Sequence, residues 1–251
     1  MKNLIPDNLI DNFSCDEKKF SRYEKNDWDI NGKGEIFSKG ELKNLKLNLN
    51  FHNTFGCKLF LGKNVVGTLK IKFIKSNSII YIGNDAKLNF LNIRSFQKED
   101  LIAIGNFTSF VNPCTLISGK NAGSGNPSII IGDDCMFAKD VLIRNTDSHP
   151  IIDRSNKKQI NQTHGSVIIE PHVWIGQRAI ILKDLKIGAC SLIGAGSIVT
   201  KDIPRFSVVG GVPARIIRQN NNHIWSRNMN KQAIDKAEKY ALMFDNGNFI
   251  E

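Results

Sequence analysis

Residues 169–200 read IEPHVWIGQRAIILKDLKIGACSLIGAGSIVT. Every sixth position is aliphatic: Ile169, Ile175, Ile181, Ile187, Ile193 and Val199. The position after it is glycine at Gly176, Gly188 and Gly194, and the position four after it holds Val173, Ala179, Leu185, Ser191, Ser197 and Ile203. A helix cannot use this period, because six residues turn it by about 600° and carry the apolar column around its axis. Strands can, because six is a multiple of their two-residue side-chain alternation. The period is that of a parallel β-helix, in which short strands and turns wind into stacked coils. On this reading the aliphatic column points inward, and glycine is expected to permit the tight corner.

Working back toward the N-terminus, Ile131, Phe137 and Ile143 continue the column, as do Ile104, Phe110 and Leu116. Ile82-Gly83 and Leu88 offer one further step. The register breaks twice, over the 15 residues from Leu116 to Ile131 and the 26 from Ile143 to Ile169. Neither is a multiple of six, so the excess must leave the coils as loops: Ser118–Ser128, rich in glycine, and the polar stretch RNTDSHPIIDRSNKKQINQTHGS. Such insertions in repeat proteins tend to carry the binding work. Earlier still, Leu45, Leu47, Leu49 and Phe51 alternate strictly, as do Leu69, Ile71 and Phe73, which predicts irregular coils leading into the regular ones.

Residues 1–34 are polar, with isolated Phe13, Phe20, Tyr23 and Trp28, and read as an arm docked through those aromatics. After the coils, Ile234, Ala237, Ala241 and Phe244 share one face of an amphipathic helix expected over Ile224–Phe244. It is expected to cap the last coil, whose open strand edges are an aggregation hazard, or to pack on a neighbouring subunit.

The formal net charge of +10 favours polyanionic partners, or is a solvated surface with no partner. The basic residues lack the dense runs and aromatic interleaving of nucleic-acid modules, so no nucleic-acid partner is expected. Cys15, Cys57, Cys114, Cys135 and Cys190 form no CxxC pair or metal spacing, which argues for a reducing, cytoplasmic setting and no metal requirement. Cys114 and Cys135 fall four places after column residues and read as core fillers. No stretch approaches a transmembrane segment, so any work at a membrane is peripheral. Of the five histidines, His149 stands out, in the inserted loop between Asp147 and Pro150, where an imidazole suits a general base.

The stretches NTDSHP, HVWIG, IGAGSIVTKDIP and GGVPARIIR resemble, in order and nearly in spacing, the hexapeptide-repeat acyltransferases of the sugar O-acetyltransferase branch. The DSHP variant and the long β-rich N-terminal part look more like enzymes that O-acetylate bacterial capsule or lipopolysaccharide sugars. The resemblance implies an all-β, left-handed parallel β-helix with irregular N-terminal coils, an inserted active-site loop and a C-terminal α-helix. It divides the chain into 1–34 (arm), 35–103 (early coils), 104–218 (acetyltransferase core) and 219–251 (helix and tail). By position, it implies that His149 is the catalytic base and that Trp174 lies near it, as oxyanion donor or as a wall of the cofactor channel. It implies acetyl-CoA as donor, lined by Gln177, Ala195 and Thr200 and met at its phosphates by Lys201, Arg215 and Arg218. Asn112, Asn145 and Asp147 are the candidates for holding a carbohydrate acceptor. The family's Asp after the acceptor-holding Asn has no counterpart in FVNPCTLISGKNAG, which argues against a small galactoside or maltose acceptor. A homotrimer with sites between subunits is also implied.

The competing readings are N-acetylation of an amino sugar, acetylation of an antibiotic, a zinc site of His149, His164 and His172 as in carbonic-anhydrase β-helices, and a structural β-helix without catalysis. The fifteen- and eight-residue spacings of those histidines do not fit the zinc family's close pair.

Overall fold

The computed structural model describes residues 17–22, 29–31, 33–119, 128–163 and 165–245. The chain is the expected left-handed parallel β-helix. Its first face stacks Glu35–Ser38, Lys58–Leu61, Ile79–Ile82, Leu101–Ile104, Ile129–Ile131, Val167–Ile169 and Leu185–Ile187, all parallel. Opposite this face, the early coils form one broad sheet of Leu45–Asn50, Val66–Phe73 and Lys87–Ser95. On Lys87–Ser95 the sheet divides, because Ser109–Phe110 pairs with its beginning and Cys114–Ser118 with its end. The coil is two-sided before this point and three-sided after it. The second face then runs through Met136–Phe137, Trp174–Ile175, Leu192–Ile193 and Ser207–Gly210. The third runs through Leu142–Arg144, Ile180–Ile181 and Ile198–Val199.

The sixfold column of the sequence becomes three stacks, one per face. Ile104, Ile131, Ile169 and Ile187 lie in register on the first face, and Phe110, Phe137, Ile175 and Ile193 on the second. Leu116, Ile143, Ile181 and Val199 form the third. All twelve side chains are buried in one continuous core, as are Cys114 and Cys135. Phe110 and Phe137 stack with ring centroids 4.4 Å apart, and Phe51 and Phe73 do the same at 4.9 Å in the early coils. Leu185 faces Val167 in register, so a regular coil takes eighteen residues, three hexapeptides.

The glycine column works differently from expectation. Gly176, Gly188 and Gly194 have no positive φ; the left-handed corner falls two residues later, on Arg178, Cys190 and Gly196. Asn64, Asp85, Phe107, Asp134, His172, Cys190 and Phe206 form a stack of such corners, with φ between 55° and 60°. Glycine is needed for want of room. A Cβ at Gly176 would lie 2.6 Å from the Ala195 nitrogen, and one at Gly188 would lie 2.4 Å from that of Arg205. Successive coils touch backbone to backbone at this column.

The C-terminal helix, α1 (Lys231–Phe244), begins where the Asn230 side chain accepts the Ala233 N–H at 2.9 Å. It does not close the last coil. Tyr240, Ala241 and Phe244 pack on Ala189, Cys190 and Phe206, and Lys236 lies 4.3 Å over the Phe107 ring. The helix therefore runs along the corner between the first and second faces. The last coil is followed instead by Arg215–Gln219, antiparallel to Ser207–Gly210. At the other end, Phe20 packs edge-on against Phe60 with centroids 5.1 Å apart. Phe13, Tyr23 and Trp28 lie outside the described residues. No described helix is long and apolar enough to cross a membrane.

Candidate active site

The loop that carries His149 leaves the prism at the corner between the third and first faces. Coil register builds its root. Ile143 lies opposite Ile181, so Asn145 stacks beside Lys183 of the next coil, which in turn stacks beside Lys201. Asn145 is fully buried: its Nδ2 donates to Ser118 Oγ at 3.0 Å, and its Oδ1 accepts the Gly119 N–H at 2.8 Å. With both ends of its amide engaged, Asn145 anchors the loop and is not turned toward an acceptor, contrary to the sequence reading. Ser118 passes the network on to Asp100 at 2.6 Å, which Gln97 also reaches at 2.9 Å. Burial pushes the Asp100 carboxyl up to about 6, against the hydrogen bonds from Ser118, Ser95 and Gln97.

Beyond the root, Lys183 Nζ donates to Asp147 Oδ2 at 2.5 Å and to the Asn161 carbonyl at 3.2 Å. The Asn161 amide donates to the same Asp147 oxygen and to the His149 carbonyl, each at 2.9 Å. Arg144 adds bonds to the Thr146 carbonyl and Ser148 Oγ, and Ile152 and Gln159 bridge the two arms farther out. His149 is thus an exposed residue whose backbone is clamped from across the loop. Burial would raise the Asp147 carboxyl, but the bonds from Lys183 and Asn161, with the Lys183 and Arg144 charges, hold it below its usual range. Asp147, expected at the acceptor, has its Oδ2 committed to this clamp.

The cofactor candidates flank the third face. Gln177 and Ala195 are exposed at its corner with the second face, where the Gln177 carbonyl accepts the Gly196 N–H at 2.7 Å. A Cβ on Gly196 would meet nothing within 4 Å, so this corner is an open backbone shelf. Thr200 and Lys201 are exposed at the opposite edge, on the corner that holds the His149 loop. An open backbone shelf fits a thin pantetheine arm, and a cation such as Lys201 suits phosphates. Arg215 and Arg218 lie on the wholly exposed strand after the last coil. Asn112 is exposed at the corner between the second and third faces, two coils before Gln177.

Trp174 lies elsewhere. It alternates with buried Ile175 and so points outward from the second face, toward Trp225 with centroids 6.1 Å apart. In a three-sided coil that face is opposite the corner bearing His149, so one chain does not bring the two together. His172 is remote from His149 too. It is buried between the rings of Trp225 and Tyr240, with Nδ1 2.9 Å from Asp134 and Nε2 2.9 Å from the Trp225 carbonyl. This removes His172 from the zinc reading; His164 is outside the described residues.

Sequence reading missed Lys183 and Asn161. Lys183 was findable, since it follows Ile181 as Asn145 follows Ile143, and stacking makes the two neighbours. Asn161 carries no such signal, because its stretch has no period. Also missed were two buried acids that pin the flank. Asp134 bonds His172, Arg227 and Lys236, and Glu170 bonds Lys186, Arg205 and the Ala189 N–H.

No protein-family model matches the chain. The polysialic acid O-acetyltransferase of Escherichia coli O1:K1 / APEC is 35% identical over 212 residues, which is 84% of this chain and 63% of that protein. The chain thus spans slightly less than two thirds of that relative's length. The galactoside O-acetyltransferase of Escherichia coli (strain K12) is 40% identical over 95 residues, 38% of this chain and 46% of that protein. Among solved structures, the polySia specific acetyltransferase NeuO superposes with a TM-score of 0.71 at 30% identity, covering 85% of this chain and 94% of that one. A common fold across nearly all of a 30%-identical relative shows that the chain belongs to the hexapeptide-repeat acyltransferases, in their sugar O-acetyltransferase branch.

Proposed function

We propose that this protein is an acetyl-CoA-dependent O-acetyltransferase acting on a sugar hydroxyl of a bacterial surface polysaccharide, capsular or lipopolysaccharide, or of its precursor. The observation that carries the reading is His149 held exposed at one edge of the third face, on the corner that also bears Thr200 and Lys201, with the open shelf of Gln177 and Ala195 along the other edge. The likeness to a polysialic acid O-acetyltransferase over 84% of the chain supports a polymeric acceptor.

In this mechanism His149 accepts the proton of the acceptor hydroxyl as its oxygen attacks the thioester carbonyl, and returns it to the departing thiolate. The donor supplies the acetyl group as a thioester. Gln177, Ala195 and Thr200 line its arm, and Lys201, Arg215 and Arg218 meet its phosphates. Trp174 supplies an N–H to the developing oxyanion or walls the channel. Because Trp174 and His149 lie on opposite sides of one prism, a site that uses both needs a second copy, which supports the homotrimer. We place the enzyme in the bacterial cytoplasm, soluble or peripheral to the membrane.

The test is thiol release from acetyl-CoA by the purified protein with a panel of capsular polysaccharides, amino sugars and small glycosides. Turnover on a polymer is expected, with a loss of about 10²-fold or more in His149→Ala. Full activity in that variant would overturn the mechanism. Turnover on amino sugars alone would replace O-acetylation with N-acetylation.

A further inference from the structure

The strands of the broad early sheet, LKLNLN, VGTLKIKF and KLNFLNIRS, carry five basic residues and no acidic one. Alternation turns Leu69, Ile71, Leu91 and Ile93 into the core and leaves Lys70, Lys72 and Arg94 exposed on the outside. Register puts Lys72 directly beside Arg94, and Lys70 between Asn48 and Asn92. Like charges facing each other across neighbouring strands weaken a sheet. Among the described residues none of these three cations has an ion-pair partner. Ion pairing within the fold does not account for the arrangement.

The row leads to the candidate site. Arg94 lies beside Ile117 and Ile117 beside Arg144, so Arg94 and Arg144 are two strand spacings apart, roughly 10 Å along the surface. Arg144 holds Ser148, the residue before His149. Two places after Arg94, Phe96 is 43% exposed, and its Cβ flanks Gly119 at the root of the loop. A line of cations, interspersed with asparagine amides, therefore ends at an exposed aromatic ring beside the histidine loop.

We infer that this face is a docking track for an anionic polysaccharide, with Lys70, Lys72 and Arg94 engaging carboxylates of sugars distant from the one that reacts. The inference rests on the polysaccharide reading above. It adds the acidic character of the acceptor and the surface that recognises it. A chain that carries an anion on successive sugars can meet several of these cations at once, and the asparagines suit sugar hydroxyls. The track acts on polymer binding and not on the transfer step, because none of the three cations borders His149.

The experiment uses the full chain and the variant Lys70→Ser/Lys72→Ser/Arg94→Ser, with polysialic acid as the anionic probe and a short sialic acid oligomer as control. Direct binding and acetyl transfer are measured separately. The expected result is a KM for the polymer raised roughly tenfold, with kcat, the KM for acetyl-CoA and turnover of the short oligomer unchanged. Polymer binding by the parent should weaken with added salt, and the variant should lose most of that dependence. Its melting temperature should be equal or higher, since repulsion has been removed. Unchanged polymer KM and salt dependence in an active variant would overturn the track. So would equal loss on polymer and oligomer. Salt-sensitive polymer binding by the parent without acetyl transfer would leave the track standing and overturn the activity.

Discussion

The two-sided coils before Ser109 and the three-sided coils after Val167 share a first face and one core, yet they are built on different constraints. In the late coils the strands are two or three residues long, and each sits between corners on a strict period. The interior is narrow, so the column admits one aliphatic side chain per face, and the backbone does most of the shaping. In the early coils the strands run to six, eight and nine residues, and the wider interior takes Phe51 and Phe73. Their outer positions are free to carry side chains chosen for something other than winding. The narrow part thus offers a backbone shelf, and the broad part offers a surface.

The contrast is sharpest at the glycine column of the late coils. Gly176→Val would drive carbons into the Ala195 nitrogen and the Ile193 oxygen, at 2.6 and 2.7 Å from its Cβ. No side chain can move aside, so a loss of about 4 kcal/mol or more is expected, lowering the melting temperature by roughly 10 °C. Gly196→Asn, at an open left-handed corner, should cost about 1 kcal/mol or less. Equal effects at the two positions would mean that conformation, and not contact, sets the glycine requirement.

The junction between the two architectures is tested by Phe110→Ala. It removes half of the stack with Phe137 just where the broad sheet divides, and a loss of about 3–4 kcal/mol in urea unfolding is expected. A cost under about 1 kcal/mol would show that the junction repacks.

A smaller effect, with a pH signature, is expected at Glu170. Burial opposes its charge, but the bonds from Arg205, Lys186 and the Ala189 N–H outweigh burial and hold its pKa below 4.5. A depressed carboxyl stabilises above its unfolded pKa and loses that contribution as pH falls through the folded one. Glu170→Gln should therefore cost about 2 kcal/mol at pH 7, shrinking toward pH 3. Thermal melts across that range check it; a pH-independent difference would remove the ionic account.

Asp100 in the early coils should behave in the opposite sense. Its carboxyl is raised from 3.8 to about 6, so the folded state holds its proton more tightly and loses stability as pH rises between those values. Asp100→Asn is expected to stabilise by about 1–2 kcal/mol at pH 7.5, with the gain fading below pH 4. Because Asp100 supports Ser118 and, through it, Asn145, kcat should be followed in the same samples.

Much of this could be read from the chain. Twelve column residues fell into three registered stacks, and the two breaks in the period marked both insertions. The reason is local: in a narrow coil each residue's environment repeats every six positions, so the constraint is written into neighbouring sequence. The glycines were found but given the wrong cause, since a contact between coils is invisible until the coils are stacked. The helix was found but assigned to the end of the prism or to a neighbouring subunit, because its apolar face does not say which apolar surface it meets. Family likeness nominated His149, Trp174 and the cofactor positions.

What only the tertiary structure decided is which of these residues meet. Lys183 and Asn161 reach Asp147 and His149 across long separations, Asn145 turns inward, and Trp174 faces away from His149. Lys72, Arg94 and Arg144 are far apart in sequence and share one row only because coils of unequal length bring them into register. The six-residue period was written in the sequence, and with it the stacking of strands into coils; the hand came from the family likeness. The contacts between coils depend on how many residues each coil takes and where its excess leaves, and those distances exist only once the chain has closed on itself.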